Sequence, residues 1–187
     1  MTLATEVDGR SGLDRLRRVS AIARGLGYLA AALTVVGMVW LWRDPENLAA
    51  HARGTIGITG AVFAPSARGY WAALALGTIP AGLFIAAMLS LAGLFGRFGQ
   101  GRVMERDNAL RLGRIGWLFV ALGLSGPIAR ALQSVALTFD NPPGQGQLAI
   151  ALDTGSFGAL AAGVAFVGLG IVFQEAVRLS DENQSFV

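Results

Sequence analysis

Four apolar stretches dominate the chain and restrict what it can fold into. They lie at Gly25–Trp42, Tyr70–Phe95, Ile115–Leu137 and Phe157–Val177. A helix that crosses a bilayer needs about 20 mostly apolar residues, because hydrocarbon offers the backbone no hydrogen-bond partners. The second stretch has no charged residue between Arg68 and Arg97. A soluble helical bundle would need a polar face on each helix, so the pattern predicts an integral membrane protein.

The composition agrees with this prediction and excludes several classes of site. Only 14% of the residues are charged, against about 25% in soluble domains. There is no cysteine, which excludes disulfides, thiolate metal sites and cysteine nucleophiles. The single histidine, His51, cannot form a histidine metal site alone. We therefore expect neither a metal nor a cofactor, and no direct binding of nucleic acid.

The basic residues predict the orientation in the membrane. All 15 are arginine. Five precede the first span, five lie between spans two and three, and Arg178 follows the fourth, whereas the opposite loops hold only Arg43, Arg53 and Arg68. The positive-inside rule then places both termini in the cytoplasm. The predicted organisation is a cytoplasmic tail with a short helix at 1–24, a membrane domain at 25–177 and a cytoplasmic tail at 178–187.

The two outer loops contain segments with strand character. Residues 54–64 are rich in glycine and β-branched residues, and residues 137–152 place a turn sequence, Asn141-Pro142-Pro143-Gly144, between two apolar segments. These patterns predict a small extracytoplasmic β-element over the mouth of the bundle, with a flexible loop as the alternative. The predicted fold class is thus all-α, with four transmembrane helices and this β-element.

The middle loop combines a helix start with several arginines. Asp107 is a candidate N-cap and forms an i,i+4 pair with Arg111, on a helix expected to continue unbroken into span three. One interpretation of the basic loop is a docking site for a cytoplasmic protein, and the other is membrane anchoring and topology alone. The candidate docking residues are Arg102, Arg106, Arg111 and Arg114.

Small residues recur at helical spacing in the last two spans. Span four has Gly155, Ala159 and Gly163 at intervals of four, and span three has Gly116 and Gly123. Such rows let helix backbones approach closely in membranes. Packing within the bundle is the usual reason for them, and a homo-oligomer is the alternative.

Arg130 is the one charge well inside an apolar stretch. A charge at the bilayer centre costs a few kcal/mol on insertion scales. Counting from Ile115 at 1.5 Å per residue, Arg130 lies roughly 22 Å along span three, near the outer boundary of a ~30 Å core. The expected polar cluster comprises Arg130, Gln133, Ser134, Asp140 and Asp153. Its role is either to fasten the outer loops to the bundle or to bind an anionic ligand.

Three motifs resemble those of a bacterial family of small four-span inner-membrane proteins with a domain of unknown function. They are GRVMERDNALRLGRIGW at 101–117, NPPGQ at 141–145 and EAVRLSDENQSFV at 175–187. The resemblance implies a multi-pass protein of the bacterial inner membrane, often encoded beside a small Cro-type helix-turn-helix repressor. It implies no activity, ligand or catalytic residue.

The sequence contains no arrangement typical of an enzyme. It lacks G-x-S-x-G, H-E-x-x-H and a P-loop with its lysine. The first functional hypothesis is a non-enzymatic accessory or regulatory membrane protein that acts by binding another membrane or cytoplasmic protein. The alternative is a small transporter or channel with Arg130 in an outward-facing site for an anion or a polar solute.

Overall fold

The structure is a computed structural model that describes residues 2–59 and 65–185, with side chains described at 14–59 and 65–182. All regular structure in these ranges is helical. The elements are α1 (Thr2–Arg43), α2 (Pro45–His51), a π-helical turn (Ala52–Ile56), α3 (Ala67–Gly99), α4 (Arg106–Thr138) and α5 (Thr154–Ser185).

Four of these helices are long and apolar enough to cross a membrane. Their membrane-crossing segments are Asp14–Arg43, Ala67–Gly99, Arg106–Thr138 and Thr154–Glu182. The prediction of four helices long and apolar enough to span a membrane is therefore confirmed, and each helix extends past its apolar stretch by one or more polar turns. The short N-terminal helix, predicted to lead into the first span, is continuous with it in α1, and proline, which breaks helices, first occurs at Pro45, after α1 ends.

The long helices pack in chain order, α1 against α3, α3 against α4 and α4 against α5. Within the described ranges α1 and α5 do not contact each other. The four helices therefore form an open layer, with α1 and α5 at its edges. One end of the layer, the loop end, carries α2, the π-helical turn and residues 139–153. The opposite end, the turn end, carries the α3–α4 connection.

Glycines bring α4 and α5 into close backbone contact. A Cβ on Gly116 would lie 2.6 Å from the Val167 nitrogen, and one on Gly163 would lie 2.7 Å from the Val120 nitrogen. A Cβ on Gly123 would similarly lie 2.8 Å from the Ser156 oxygen. The close row on α5 thus runs through Ser156 and Gly163, seven residues apart, as in left-handed helix packing.

The predicted β-element is wrong for the described residues. Gly54–Ile56 belong to the π-helical turn, residues 57–59 and 139–153 contain no strand, and residues 60–64 lie outside the described ranges. The physical reason is burial: Ile56 and Ile58 are 0% and 2% exposed, in a core shared with Trp42, Leu48 and Leu137. A side chain, not a backbone ladder, joins the two loops. The Gln147 amide accepts from the Thr59 N–H at 3.0 Å and donates to the Thr59 carbonyl.

Candidate functional site

Arg130 lies on α4 two turns before the helix ends and ties α4 to the start of α5. Its Nη2 forms an ion pair with the Asp153 carboxylate and donates to the Ser156 hydroxyl at 3.1 Å. Asp153 in turn accepts the Ser156 backbone N–H at 2.7 Å, which caps the first turn of α5. Arg130 is 17% exposed and Asp153 is 42% exposed, so the pair lies at the edge of the bundle.

Asp140, the second carboxylate expected near Arg130, lies elsewhere. Its side chain accepts a hydrogen bond from the Ser66 hydroxyl. Ser66 is the N-cap of α3, where its oxygen accepts from the Gly69 N–H at 3.1 Å. Asp140 therefore supports the start of α3, and of the two expected carboxylates only Asp153 pairs with Arg130.

Gln133 points toward α3. Its Nε2 donates to the Ala73 carbonyl at 2.9 Å, and the side chain is 4% exposed. Gly77 leaves room for this amide, because a Cβ there would lie 2.7 Å from Gln133 Nε2. No described residue hydrogen-bonds the Gln133 side-chain oxygen, which leaves one acceptor beside Arg130.

Ser134 and Thr138 hold the loop before α5 by its backbone. The Ser134 hydroxyl accepts from the Ala149 N–H at 2.9 Å, and the Thr138 hydroxyl accepts from the Gln147 N–H at 2.9 Å. Positions i and i+4 of a helix are about 6 Å apart along its axis, and positions i and i+2 of an extended chain about 6.6 Å apart. Because the two spacings match, two hydroxyls on one face of α4 can accept from backbone N–H groups that are two residues apart in the loop. Ser134 therefore has a structural role.

A cavity of about 510 Å³ extends from Arg130 into the bundle. The edge helices supply two walls, with Met38 and Leu41 from α1 and four small residues from α5. Those small residues are Gly155, Gly158, Ala159 and Ala162. The structure thus divides the predicted small-residue row: Gly163 contacts α4, whereas Gly155 and Ala159 line the cavity.

The polar lining of the cavity gathers at the loop end. It consists of His51, Thr55, Arg130, Gln133, Asp153 and Ser156. His51 was not among the predicted site residues. Nothing in the sequence around His51 indicates that it lines the cavity, because its position depends on how α2 folds at the loop end. Among the described residues there is no group of three or more His, Asp or Glu side chains that could hold a metal ion.

Two groups in this cluster have shifted pKa values. The Ser156 backbone hydrogen bond and, more weakly, the Arg130 charge hold the pKa of Asp153 below its ordinary value. Burial, and then the Arg130 charge, lower the pKa of His51 below 6.5. At neutral pH the polar end therefore contains one ion pair, Arg130–Asp153, and an uncharged imidazole.

Acidification is expected to destabilise the protein through His51. The pKa of His51 is lower in the folded than in the unfolded state, so the unfolded state binds more protons between the two values. The stability present above about pH 6.5 is lost as the pH falls through this window. We expect the melting temperature in detergent to fall between pH 7.5 and 5.5, and the fall to be smaller in His51→Gln. Since His51 is the only histidine, identical pH profiles for the two proteins would contradict this assignment.

The α3–α4 connection at the turn end is held rigidly by buried Asn108. Its Nδ2 donates to the Arg102 and Val103 carbonyls at 2.6 and 3.1 Å, and its Oδ1 accepts from Arg97 at 3.2 Å. Arg97 also pairs with Asp107. The N-cap position belongs to Glu105, so the prediction of Asp107 as N-cap is wrong, while its i,i+4 pair with Arg111 is present at 3.0 Å. Asp107 occupies the first turn because the helix begins at Arg106.

The four candidate docking arginines fall into two pairs. Arg102 contacts Glu105 at 2.7 Å, and Arg111 contacts Asp107, so their charges are compensated. Arg106 and Arg114 are exposed and have no ion-pair partner among the described residues. They lie eight residues apart on one face of α4, with exposed Leu110 between them and exposed Met104 just before the helix. We call these four residues, Met104, Arg106, Leu110 and Arg114, the turn ledge.

The fold and this polar cluster together define a multi-pass membrane protein with four spanning helices and a cavity at one end. The chain belongs to the family described as "Protein of unknown function (DUF2975)", which matches residues 60–187. The match includes α3, α4, α5 and the Arg130–Asp153 pair, whereas α1 and His51 precede it. Comparison with curated proteins and with solved structures found no match.

Proposed function

We propose that this protein is a non-enzymatic accessory or regulatory membrane protein that binds another protein through the turn ledge. The observation that carries the proposal is the pairing pattern of the arginines. Glu105 and Asp107 compensate Arg102 and Arg111, and leave Arg106 and Arg114 exposed on the same face as Leu110. A cationic and apolar surface on a rigid turn suits an acidic, amphipathic segment of a partner.

Lipid headgroups are the competing occupants of this surface. Each arginine near an anionic membrane surface gains about 1 kcal/mol without any protein partner. Anchoring of this kind needs neither the fixed connection built by Asn108 nor an apolar residue between the two free charges. The rigidity and the mixed character of the ledge therefore support a protein partner, with its acidic segment on the side that the arginine distribution predicts to be cytoplasmic.

Photo-crosslinking in native membranes tests the ledge. A photoreactive amino acid at Leu110 is expected to form a discrete protein adduct, and Arg106→Ala with Arg114→Ala to reduce its yield. Two exposed ion pairs at about 0.5 kcal/mol each correspond to roughly a fivefold loss. Arg102→Ala with Arg178→Ala is the matched control, because it also removes two charges at the same end outside the ledge, from side chains that already pair with Glu105 at 2.7 Å and with Glu175 at 2.6 Å.

Two outcomes would reject protein docking at the ledge. One is an adduct to lipid alone from the probe at Leu110. The other is a protein adduct whose yield falls equally in the ledge variant and in the two-charge control, since this would reflect net charge and not a specific surface.

A second candidate function is a small carrier or channel with Arg130 in its site, and one observation favours it. The cavity reaches the Arg130 side chain from inside the bundle and has Pro80 of α3 in its wall. A proline in a membrane helix can mark a point where the helix bends. Solute uptake by vesicles that contain the purified protein, abolished in Arg130→Gln, is the expected result for this function.

A further inference from the structure

The cavity has the depth of one leaflet. Along α4 its lining runs from Phe119 to Arg130 and Gln133. The eleven residues from Phe119 to Arg130 correspond to roughly 16 Å at 1.5 Å per residue. One leaflet of a ~30 Å hydrocarbon core is about 15 Å thick. The cavity, whose far end is lined by Phe84 and Phe119, is therefore about as long as one leaflet is thick.

The cavity opens between α1 and α5. Its lateral walls are α1 and α5, and these helices do not contact each other within the described ranges. The α5 side of the cavity carries small residues, and a Cβ on Gly158 would meet no atom within 4 Å. A molecule already in the bilayer can thus enter between α1 and α5 without crossing water.

The polar end offers hydrogen bonds but no net charge. Asp153 neutralises Arg130, and the lowered pKa of His51 keeps its imidazole uncharged at neutral pH. The Gln133 side chain lines the cavity and donates to the Ala73 carbonyl, and no described residue donates to its oxygen, whereas the Arg130 Nε is fully buried and out of reach of a ligand. An anionic headgroup would meet the Asp153 carboxylate beside Arg130, whereas hydroxyl or amide groups can use both the donors and the acceptor.

We propose that this cavity binds one acyl chain of an amphiphile from the adjacent leaflet, with an uncharged hydroxyl- or amide-bearing headgroup at Arg130 and Gln133. The volume of about 510 Å³ lies in the range of small-molecule sites, about 300–1,000 Å³. The site differs from the turn ledge in both location and chemistry. Failure of ledge crosslinking therefore leaves this proposal intact, and failure of amphiphile binding leaves partner docking intact.

The test uses the full 187-residue chain in phosphatidylcholine vesicles and a monoacylglycerol that carries a diazirine near the methyl end of its acyl chain, the part that would lie deepest in the cavity. Illumination is expected to label cavity residues near Phe84, Phe119 and Ala162. An excess of unlabelled monoacylglycerol should reduce the labelling at least fivefold. Lysophosphatidylglycerol with the same chain, which differs by its anionic headgroup, should compete at least fivefold less well.

Two glycines of α5 provide a matched pair of variants. Neither Gly158 nor Gly168 would place a Cβ within 4 Å of another atom, but only Gly158 lines the cavity. Gly158→Leu is expected to reduce cavity labelling at least fivefold, and Gly168→Leu to leave it unchanged. Ala162→Trp, deeper in the same wall, should act like Gly158→Leu.

Several results would overturn the proposal. Labelling of the wild type that unlabelled monoacylglycerol does not reduce would show ordinary contact with bulk lipid, whatever the variants do. Equal labelling of the Gly158→Leu and Gly168→Leu proteins would place the probe outside the cavity. Stronger competition by lysophosphatidylglycerol would overturn the uncharged headgroup. A protein adduct from a photoreactive residue at Ala162 in native membranes, with no lipid adduct, would assign the cavity to a partner's membrane segment instead.

Discussion

Gly116→Ala is expected to lower the free energy of unfolding by about 2 kcal/mol, within the 1–3 kcal/mol typical of overpacking. The added Cβ would lie 2.6 Å from the Val167 nitrogen and 2.8 Å from the Gly163 carbonyl oxygen. These are backbone atoms of α5, so no side-chain rotation can relieve the clash and the two helices must separate. Denaturation of the purified protein by sodium dodecyl sulfate, followed by circular dichroism, measures the loss.

Gly113→Ala is the matched control, because it adds the same methyl group one turn earlier on α4. A Cβ at Gly113 would meet no atom within 4 Å. Since alanine also favours a helix over glycine, by up to about 1 kcal/mol, this variant should be as stable as the wild type or slightly more so. Equal destabilisation by Gly116→Ala and Gly113→Ala would mean that α4 and α5 are not in close backbone contact at Gly116.

The four spans could be predicted because bilayer thickness imposes a length that a single sequence displays. The Tyr70–Phe95 stretch carries no charge, and the helix around it runs from Ala67 to Gly99. The pairing of Arg130 with Asp153 was also within reach, because a charge near the core boundary requires a partner and few carboxylates are close along the chain. Both inferences depend on strong local constraints.

The loop end could not be predicted from local pattern, because burial decides its conformation. Ile56 and Ile58 have strand propensity, but that propensity mainly reflects how a residue packs, and here both pack in the core between helix ends. The link between the loops is the hydrogen bond from the Thr59 N–H to the Gln147 side chain. These residues are 88 positions apart in the sequence, and no local pattern predicts their contact. Likewise, only the fold shows that Asp140 contacts the start of α3.

The small residues of α5 show a similar limit. Intervals of four connect Gly155, Ala159 and Gly163, but the contact with α4 follows Ser156 and Gly163, at an interval of seven. Two turns of a helix return a residue to nearly the same face, whereas steps of four drift around it. Sequence alone therefore identifies a helix rich in small residues without identifying which of them face a neighbour and which line a cavity.

Asp153→Asn is expected to destabilise the protein by about 2 kcal/mol, by leaving Arg130 without its carboxylate. Removal of one partner from a fully buried ion pair typically costs 3–5 kcal/mol, and the 42% exposure of Asp153 reduces this figure. Asparagine is also a good N-cap, so the cap of α5 is kept and the charge alone is changed. The free energy of unfolding in detergent is the measurement. Asp140→Asn, which removes the same charge at the same end without breaking an ion pair, should change it by less than about 0.5 kcal/mol.

Arg130→Gln separates the structural role of Arg130 from a ligand-binding role. It leaves Asp153, which can reach water more easily than Arg130 can, so its structural cost should be smaller than that of Asp153→Asn. The double variant should be less destabilised than the sum of the two single variants, because each single variant breaks the same pair. Additive losses would show that the two side chains act independently. If Arg130→Gln keeps the wild-type stability but abolishes labelling of the cavity by the monoacylglycerol probe, the guanidinium serves the bound amphiphile and not the fastening of α5.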